Sequence, residues 1–443
     1  MDLTFGLRFD RDTRAALVGA GGKTSALFHL ARAFDSIVLL TTTTHLALEQ
    51  TTLADHHLII QDPTQLPGER TAYQDGIFLI TGEVLAEESR VESVSDSVME
   101  AVVDLANRWQ VPLLIEADGA RRLPLKAPAA HEPAIPSFVD TVIVCAGLAG
   151  LGKPLSETVV HRPQIFGDIA GISPGEIITP IHLQRVLLSP RGGLKNIPHG
   201  ARKIVLLNQA DVLADLRDLH PVIMTLLPTY PTVGVTAMIR DQVYAVHEPV
   251  AGIVLAGGGS QRYGKTKQLL NWQGEPLVVH TAKTALKAGL DPVKVVTGAD
   301  HREVRRAVAH LPVDTVHNPA WEEGQSTSVQ AGLKALSSRV GGALFLLADQ
   351  PHIPPELVKA LRAAHAESHA PIVATMVEGQ RANPVLFDRK VFPDFQSLRG
   401  DVGGRVLFER YQPLYVPWKD PVITLDVDTP GDFRRLKEIV DDD

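Results

Sequence analysis

Short apolar runs alternate with longer amphipathic segments along nearly the whole chain, and this alternation constrains the fold more than any other feature of the sequence. The apolar runs have the length of strands and lie at 14–19, 36–41, 111–116, 140–146, 202–208, 250–256, 293–297, 343–348, 371–376 and 422–425. The segments with apolar residues at helical spacing lie at 23–34, 94–108, 277–289, 325–338, 355–367 and 430–440. Strands that alternate with helices predict an α/β fold with mainly parallel sheets.

The alternation restarts near 245–249, where a new strand opens a second glycine-rich turn. A chain of 443 residues is also longer than one typical domain. We therefore expect two domains, 1–247 and 248–443, each with its own mainly parallel sheet.

The charge and cysteine content exclude several classes of protein. There are 43 Lys and Arg against 51 Asp and Glu, with no basic block, so no broad surface for DNA or RNA is expected. The single cysteine, Cys145, excludes an intramolecular disulfide and a multi-cysteine zinc site. No apolar stretch reaches the roughly 18 residues of a membrane span, and the first residues lack a signal-peptide pattern. These features predict a cytoplasmic protein without nucleic-acid or membrane partners.

The second glycine-rich turn, LAGGGSQRYGKTKQLL at 255–270, follows the strand-like run 250–256. Consecutive glycines have no Cβ, so backbone N–H groups can approach phosphate oxygens closely. Arg262, Lys265 and Lys267 add cations beside them. The turn predicts nucleotide binding, the alternative being a tight turn with a solvated basic rim. The candidate nucleotide-binding residues here are Leu255, Ala256, Gly257, Gly258, Gly259 and Lys267.

Carboxylates follow two later segments of the same half. Asp349 comes just after the run 343–348, where ligands bind in open α/β sheets, and is a candidate Mg²⁺ ligand. Asp426 and Asp428 are two residues apart, so at an extended strand end they would share one face and could reach the same metal. The alternatives are helix caps, for Asp349 before PPEL and for Asp428 before the helix 430–440.

The first glycine-rich turn, GAGGKTS at 19–25, follows the run 14–19 and resembles the end of a phosphate-binding loop. Gly21 and Gly22 would offer amides to phosphates, Lys23 would reach the β- and γ-oxygens, and Thr24 would offer a hydroxyl to Mg²⁺. A full loop needs a glycine at position 17, where Leu17 stands, so the loop is incomplete or shortened. The prediction is a P-loop-like NTP-binding domain for ATP or GTP, and the alternative is a helix entry with a tight turn.

Two strand ends in the first half carry further candidates. The run 111–116 leads to Asp118, which could hold Mg²⁺ or orient water as a Walker-B acid does. The run 202–208 leads into Asn208-Gln-Ala-Asp211, which resembles the NKxD guanine-reading element of GTPases with Gln209 in place of Lys. An Asn followed by an Asp helix cap is the alternative.

A long proline-rich segment, 117–136, interrupts the alternation in the first half. Loops of this length in a compact domain are functional or mobile. Its basic and histidine residues could close over an anionic ligand, although solvated or packed side chains are the alternative. These residues are Arg121, Arg122, Lys126 and His131.

The second half carries six motifs in a fixed order: LAGGGSQRYGKTKQLL at 255–270, NPAWEEGQSTSVQAGL at 318–333, LADQPHIP at 347–354, RANPVLF at 381–387, LRGDVGGR at 398–405 and LDVDTP at 425–430. On these motifs, residues 250–443 resemble the molybdenum cofactor nucleotidyltransferases, within the glycine-rich-loop NTP transferases. The resemblance implies a Rossmann-like fold and Mg²⁺-dependent transfer of CMP from CTP to molybdenum-bearing molybdopterin. It implies catalytic roles for Arg262, Lys267 and Asp349, and metal binding by Asp349 with Asp428 or Asp426.

Other residues of the same half leave alternatives open. Gln325, Ser326 and Ser328 could bind nucleotide or pterin phosphate at a helix N-terminus, or simply cap that helix. The GQSTSVQAGL and GDVGGR segments favour the cytidylyl branch, whereas the Gly257-Gly258 pair is more like the guanylyl branch. Transfer to a sugar or polyol phosphate is a further alternative.

The first half, over roughly residues 1–240, resembles the YqeC-like family of selenium-dependent hydroxylase accessory proteins. The motifs are VGAGGKTS at 18–25, TTTTH at 41–45, EADGARRLPLKAPAAHEPAIP at 116–136 and LNQAD at 207–211. The resemblance implies an association with molybdenum hydroxylases. It leaves open a role as an NTP-dependent cofactor carrier or insertion chaperone, with a hydroxylase apoenzyme as partner.

Overall fold

The computed structural model describes residues 1–70, 75–259, 263 and 266–441. It divides into two compact units, Met1–His247 and Glu248–Asp443, which are described separately below. No helix in these ranges is both long and apolar enough to cross a membrane.

The first unit combines six helices with fourteen strands in its described ranges. The helices are α1 (Leu3–Leu7), α2 (Lys23–Arg32), α3 (Asp96–Trp109), α4 (Pro163–Ala170), α5 (Pro180–Leu188) and α6 (His220–Leu226). The strands are β1 (Arg14–Gly19), β2 (Val38–Thr42), β3 (Leu46–Ala47), β4 (His56–Ile59), β5 (Ile77–Thr81), β6 (Val84–Leu85), β7 (Arg90–Val91), β8 (Leu113–Glu116), β9 (Leu125–Lys126), β10 (Thr141–Gly147), β11 (Val160–His161), β12 (Arg202–Asn208), β13 (Thr232–Ala237) and β14 (Gln242–His247).

The main sheet of this unit has the order β14-β13-β12-β10-β1-β8-β2-β5-β4. Every neighbouring pair is parallel except β13 and β14. Strand β1 lies between β10 and β8, so the carboxyl ends of these three strands lie side by side. Ala15 and Leu17 pack in one apolar cluster and Ala16 and Val18 in another, so β1 is buried on both faces. This double burial explains why its sequence is a continuous apolar run.

The second unit combines five helices with nine strands in its described ranges. The helices are α7 (Leu277–Lys287), α8 (His301–Val308), α9 (Gln325–Lys334), α10 (Pro355–Ser368) and α11 (Pro430–Asp441). The strands are β15 (Val250–Ala256), β16 (Asn271–Trp272), β17 (Glu275–Pro276), β18 (Val293–Thr297), β19 (Asp314–His317), β20 (Gly342–Leu347), β21 (Ile372–Val377), β22 (Gln380–Asp388) and β23 (Leu414–Trp418).

The main sheet of the second unit has the order β19-β18-β15-β20-β22-β21-β23. Strand β22 runs antiparallel to both of its neighbours, and the other pairs are parallel. From the central strand β15 the chain goes first to β18 on one side and later to β20 on the other. Ligands of open α/β sheets bind at the carboxyl ends of the strands at such a switch point.

The prediction of an α/β fold with parallel-rich sheets is confirmed, but the strand predicted at 422–425 is wrong. Residues Pro421–Thr424 form a 3₁₀ turn, which Asp420 caps by accepting from the amide of Val422 at 2.9 Å. Asp426 and Asp428 therefore follow a helical turn. The prediction that their side chains share one face of an extended strand end does not apply.

Candidate functional sites

In the first unit, the chain leaves β1 through a turn that only glycine can make. Gly19, Gly21 and Gly22 have φ of 94°, 78° and 106°, where a side chain is strained. A Cβ atom at Gly21 would also lie 2.2 Å from the amide nitrogen of Gly147. Helix α2 starts at Lys23 directly after this turn, and its first amides have no acceptor within the helix. The amides of Gly19, Ala20 and Gly21 already donate to Oδ2 of Asp118 and to the carbonyl oxygens of Cys145 and Leu123. The first amides of α2 and the positive end of its dipole are therefore the groups that could meet a phosphate.

The ammonium of Lys23 is buried among acceptors at this turn. Its Nζ donates to the carbonyl oxygen of Gly19 at 2.8 Å and lies 3.1 Å from Oδ1 of Asp118 and 4.0 Å from Oε1 of Glu116. Burial lowers the pKa of Lys23, but the two carboxylates outweigh it and raise the pKa above its ordinary value. Thr24 Oγ1 donates to Oε2 of Glu116 at 2.8 Å. The structure thus brings Lys23, Thr24 and Asp118 together, and adds Glu116, which sequence reasoning did not select.

The charges continue from Asp118 into the proline-rich loop. Lys126 Nζ lies 2.9 Å from Oδ2 of Asp118 and 2.9 Å from Oε2 of Glu132. The guanidinium of Arg162 donates two hydrogen bonds, of 2.7 and 2.9 Å, to the carboxylate of Glu132. Burial raises the pKa of Glu132, but the hydrogen bonds from Arg162 and Lys126 outweigh it and lower the pKa to about 2. The result is a row of alternating charges, from Lys23 to Arg162, that ties the loop to the glycine turn.

The basic and histidine residues of the loop do not converge as expected. Lys126 is only 1% exposed at its side chain and is neutralised by two carboxylates. Arg121 and His131 are exposed, and Arg122 is exposed and pairs with Glu49. The expectation that the four close over an anion is therefore wrong for this conformation, because burying a lysine favours pairing it with carboxylates of the chain.

Asn208, at the end of β12, links the same turn to the end of β13 and the residue just after it. Its Nδ2 donates to the carbonyl oxygen of Gly21 at 2.8 Å, and its Oδ1 accepts from the amide of Met238 at 2.9 Å and from Thr236 Oγ1 at 3.1 Å. Asp211 lies inside the 3₁₀ turn Ala210–Val212 and does not cap a helix, so the helix-cap alternative is wrong.

In the second unit, the predicted glycines lie at the switch point directly after β15. The carbonyl oxygen of Gly258 accepts from Nε2 of Gln268 at 2.9 Å. A Cβ atom at Gly259 would lie 2.8 Å from the ring of Trp321, and one at Gly257 would lie 3.1 Å from Oγ of Ser328. Close packing against these side chains therefore favours glycine in the turn. Of the predicted cations, Arg262 and Lys265 lie outside the described residues.

Lys267 lies between two predicted metal ligands. Its Nζ is 2.5 Å from Oδ2 of Asp349 and 2.8 Å from Oδ1 of Asp428. Burial lowers the pKa of Lys267, but the two carboxylates outweigh it and raise the pKa above its ordinary value. The structure thus joins the turn after β15, the end of β20 and the segment before α11 through one ammonium group.

Asp426 stands apart from this ammonium and bonds Gln350. Nε2 of Gln350 donates to Oδ1 of Asp426 at 2.6 Å. Burial raises the pKa of Asp426, and the nearby charges of Asp349 and Asp428 add to the rise. Within the described residues, no three His, Cys, Asp or Glu side chains are grouped so that they could hold a metal ion.

The segment predicted to bind phosphate at 325–328 begins helix α9. Gly324 caps the helix with φ of 110°, and a Cβ atom there would lie 2.2 Å from the backbone of Gly400. Ser326 is buried, and its Oγ has no hydrogen-bond partner in the described ranges. Ser328 accepts from Nδ2 of Asn318 at 3.0 Å. Ser326 thus keeps a hydroxyl available at the start of the helix, whereas Ser328 is engaged by the protein.

An open cleft of about 900 Å³ adjoins the carboxylates of this unit. Leu255, Gln350 and Asp426 line it at one end, next to the glycine turn. Its other lining residues include aromatic rings, two arginines and polar side chains, namely Phe345, Phe387, Phe395, Phe408, Arg381, Arg405, Gln325 and Asn383. The guanidinium of Arg381 lies 4.1 Å above the ring of Phe408. The cleft can therefore accept a ligand with both flat apolar and anionic parts.

Comparison with known proteins assigns each half of the chain to a family. The YqeC protein family model matches residues 15–164, and the MobA-like NTP transferase domain matches residues 252–414. The "Uncharacterized protein YqeC" of Escherichia coli (strain K12) is 35% identical over 204 residues, which are 45% of this chain and 77% of that protein.

Two relatives match the second half. The "Purine catabolism protein PucB" of Bacillus subtilis (strain 168) is 34% identical over 200 residues, 42% of this chain and 95% of that protein. A "Probable molybdenum cofactor guanylyltransferase" of Opitutus terrae is 33% identical over 136 residues, 28% of this chain and 65% of that protein. The chain therefore belongs to the YqeC family in its N-terminal half and to the MobA-like NTP transferases in its C-terminal half.

Proposed function

We propose that residues 248–443 catalyse Mg²⁺-dependent transfer of CMP from CTP to molybdenum-bearing molybdopterin, with release of pyrophosphate, and that residues 1–247 form an accessory NTP-binding domain. The observation that carries the proposal is the position of Lys267, which joins the glycine turn to Asp349, after the carboxyl end of β20, and to Asp428, before α11. A nucleotidyltransferase needs this combination because its substrates and its leaving group are all anions.

The carboxylates fit a divalent cation because they already bind a cation. One ammonium nitrogen lies within 2.8 Å of an oxygen of each of Asp349 and Asp428, so the two side chains can converge on a single positive centre. Carboxylate oxygens are also the ligands that Mg²⁺ prefers. Asp349 and Asp428 would hold the ion, with Asp426 beside them. A bound Mg²⁺ would supply charge neutralisation at the triphosphate.

The reaction needs alignment and charge neutralisation rather than a general base. An oxygen of the acceptor phosphate forms a bond to the α-phosphorus of CTP, and the bond from that phosphorus to the bridging oxygen of the β-phosphate breaks. Amides of the turn at Gly257, Gly258 and Gly259 would hold the triphosphate, while Lys267 and Arg262 would neutralise the leaving pyrophosphate. The nucleophile is already an anion, so proton removal contributes nothing.

The cleft beside Asp426 supports a pterin acceptor. Phe408 suits a flat apolar group, and Arg381 and Arg405 suit an anionic group. Phe345, Phe387 and Phe395 are only 9%, 3% and 1% exposed and support the wall of the cleft from the core. The relative named as a probable molybdenum cofactor guanylyltransferase supports a molybdopterin-type acceptor. That same relative and the Gly257-Gly258 pair favour GTP, whereas the motifs at 324–333 and 400–405 favour CTP. We place more weight on the longer motifs.

Product formation tests the proposal. The full chain with Mg²⁺, molybdenum-loaded molybdopterin and an equal mixture of CTP and GTP should form the cytidine dinucleotide, identified by mass spectrometry. Asp349→Asn should lower the rate on the order of 10²–10³-fold, because the ion that would neutralise the triphosphate loses a carboxylate ligand. Asp314→Asn is the matched control, since this exposed carboxylate pairs with Lys294 at the sheet edge. A guanosine dinucleotide would overturn the choice of CTP, and no dinucleotide with either nucleotide would overturn the reaction.

A further inference from the structure

Three strand ends of the first unit are joined by one buried amide. Asn208 is 3% exposed, at the end of β12, and bonds the glycine turn after β1 and the turn after β13 at once. It uses its donor on Gly21 and its acceptor on Met238 and Thr236, so both ends of the amide are satisfied. The segment after Asn208 is thereby held beside the turn that we propose to bind phosphate.

Gln209 then turns the chain back toward the glycine turn. Its backbone is left-handed, with φ of 62°. A Cβ atom at Gly147 would lie 2.3 Å from Oε1 of Gln209, so the side chain packs against the residue that also contacts Gly21. That Oε1 is buried and has no hydrogen-bond partner among the residues described. A polar atom in this state is expected to find a partner in a ligand or in water.

The carboxylate of Asp211 forms an ion pair with Arg240 through one of its two oxygens. Its side chain is 14% exposed, and Nε of Arg240, itself 64% exposed, lies 3.0 Å from Oδ2. Oδ1 is not among the buried side-chain oxygens that lack a partner in the described residues. The carboxylate is therefore open to a ligand that donates hydrogen bonds, which would replace water there.

We propose that the first unit binds a guanine nucleotide, with Asp211 reading the base, and this rests on the proposed role of its glycine turn as a phosphate site. Guanine carries two adjacent donors, N1–H and the N2 amino group, that match the two oxygens of one carboxylate. Adenine presents a bare N1 acceptor on the corresponding edge, which a carboxylate repels. The stem of Gln209 would lie beside the base, between the glycine turn and Asp211.

A change of base specificity tests this assignment. In the full chain with Mg²⁺, GTP should protect the backbone amides of 17–26 and 207–213 from hydrogen exchange at lower concentration than ATP. These segments report on the first unit alone, so nucleotide bound to residues 248–443 does not obscure the result. Asp211→Asn should weaken protection by GTP roughly 10- to 100-fold, the factor that one two-bond contact to a base supplies. The same variant should gain protection by XTP, because the new amide can donate to the C2 carbonyl of xanthine.

A control variant and the pattern of protection distinguish a wrong assignment of the base from a wrong assignment of the phosphate site. Asp218→Asn changes an exposed carboxylate seven residues further on and should leave the order of nucleotides unaltered. Gain of XTP binding in Asp211→Asn shows that the variant is folded. A wild-type preference for ATP, or a GTP preference that Asp211→Asn leaves unchanged, overturns the base assignment while the phosphate site stands. No protection of 17–26 by any nucleotide overturns both.

Discussion

At the scale of single residues, Lys267 and Lys23 have similar surroundings, since the ammonium of each lies near a glycine turn and is held by two carboxylates. These are Asp349 after β20 and Asp428 before α11 in one case, and Glu116 at the end of β8 and Asp118 just after it in the other. Under the proposed function, a lysine in this state would exchange its carboxylate partners for phosphate oxygens when a nucleotide binds. The carboxylates are then available for a metal ion.

This exchange predicts that removal of the Lys267 ammonium strengthens metal binding but slows turnover. In Lys267→Met, Asp349 and Asp428 lose the ammonium that competes with a divalent cation, so Mn²⁺ should bind more tightly without nucleotide than to the wild type. Turnover should fall on the order of 10²–10³-fold because the leaving pyrophosphate loses a cation. Electron paramagnetic resonance of free Mn²⁺ measures the first effect. Lys294→Met, at the sheet edge, is the control; unchanged Mn²⁺ affinity in Lys267→Met would contradict the account.

Asn208 should matter to the first unit even without a ligand. Asn208→Ala removes hydrogen bonds to Gly21, Thr236 and Met238 and leaves their polar groups buried, which costs about 1–3 kcal/mol for each group left unsatisfied. We expect faster hydrogen exchange at 19–24 and at 236–240. Exchange equal to that of the wild type in both segments would show that the amide does not hold the turns.

At the scale of elements, the proline-rich loop is held by the pair of Glu132 and Arg162. Because the pKa of Glu132 is lowered from 4.5 to about 2 in the folded chain, its ionised form contributes stability that is complete above pH 4.5 and is lost as the pH falls toward 2. Glu132→Gln should therefore be less stable than the wild type at neutral pH, by about 1–3 kcal/mol for the charged hydrogen bonds lost.

The pH dependence distinguishes this pair from a general loss of packing. The difference in unfolding free energy between wild type and Glu132→Gln should be constant from neutral pH down to about 4.5 and shrink below it. Urea titrations monitored by the hydrogen exchange of 119–134 supply the measurement. Glu157→Gln, an exposed change in the same unit, is the control. A difference that stays constant down to pH 3 is incompatible with the lowered pKa.

The sequence predicted most of the buried parallel strands, because burial on both faces leaves a continuous apolar run, but it missed β5 and β13, which are also buried along their whole length. Strands β1, β12, β15 and β18 have the bounds that the sequence predicted. It did not predict β22, whose polar first half contains Asn383-Pro384, or the exposed edge strand β23. The run 422–425 is apolar because Ile423 packs into the core from a 3₁₀ turn, and a short apolar run does not distinguish these two cases.

At the scale of the whole molecule, the sequence identified most charged site residues but not their partners. Motifs in the sequence predicted Asp349, Asp428 and Lys267, and in the structure Nζ of Lys267 lies within 2.8 Å of a carboxylate oxygen of each aspartate. Glu116, Glu132 and Arg162 could not be selected, because their pairing depends on how the long loop folds back onto the sheet. The sequence pattern shows where strands end, whereas an ion pair between residues 30 positions apart, such as Glu132 and Arg162, follows from tertiary packing.

We expect each of the two compact units to fold without the other. Each has its own sheet and its own apolar clusters, so residues 248–443 expressed alone should fold and keep at least about half of the nucleotidyl transfer activity of the full chain. Circular dichroism and the dinucleotide assay measure both properties. A folded fragment without activity would show that residues 1–247 contribute to catalysis.

Pyrophosphate exchange tests the central claim most directly. The full chain is given Mg²⁺, molybdenum-loaded molybdopterin, labelled pyrophosphate and CTP, GTP or ATP in turn. It should incorporate label into CTP in preference to GTP and ATP. Asp349→Asn should lower this exchange on the order of 10²–10³-fold, while Asp314→Asn retains it. Exchange that is absent with every nucleotide, or that proceeds undiminished in Asp349→Asn, would contradict the assignment of this site.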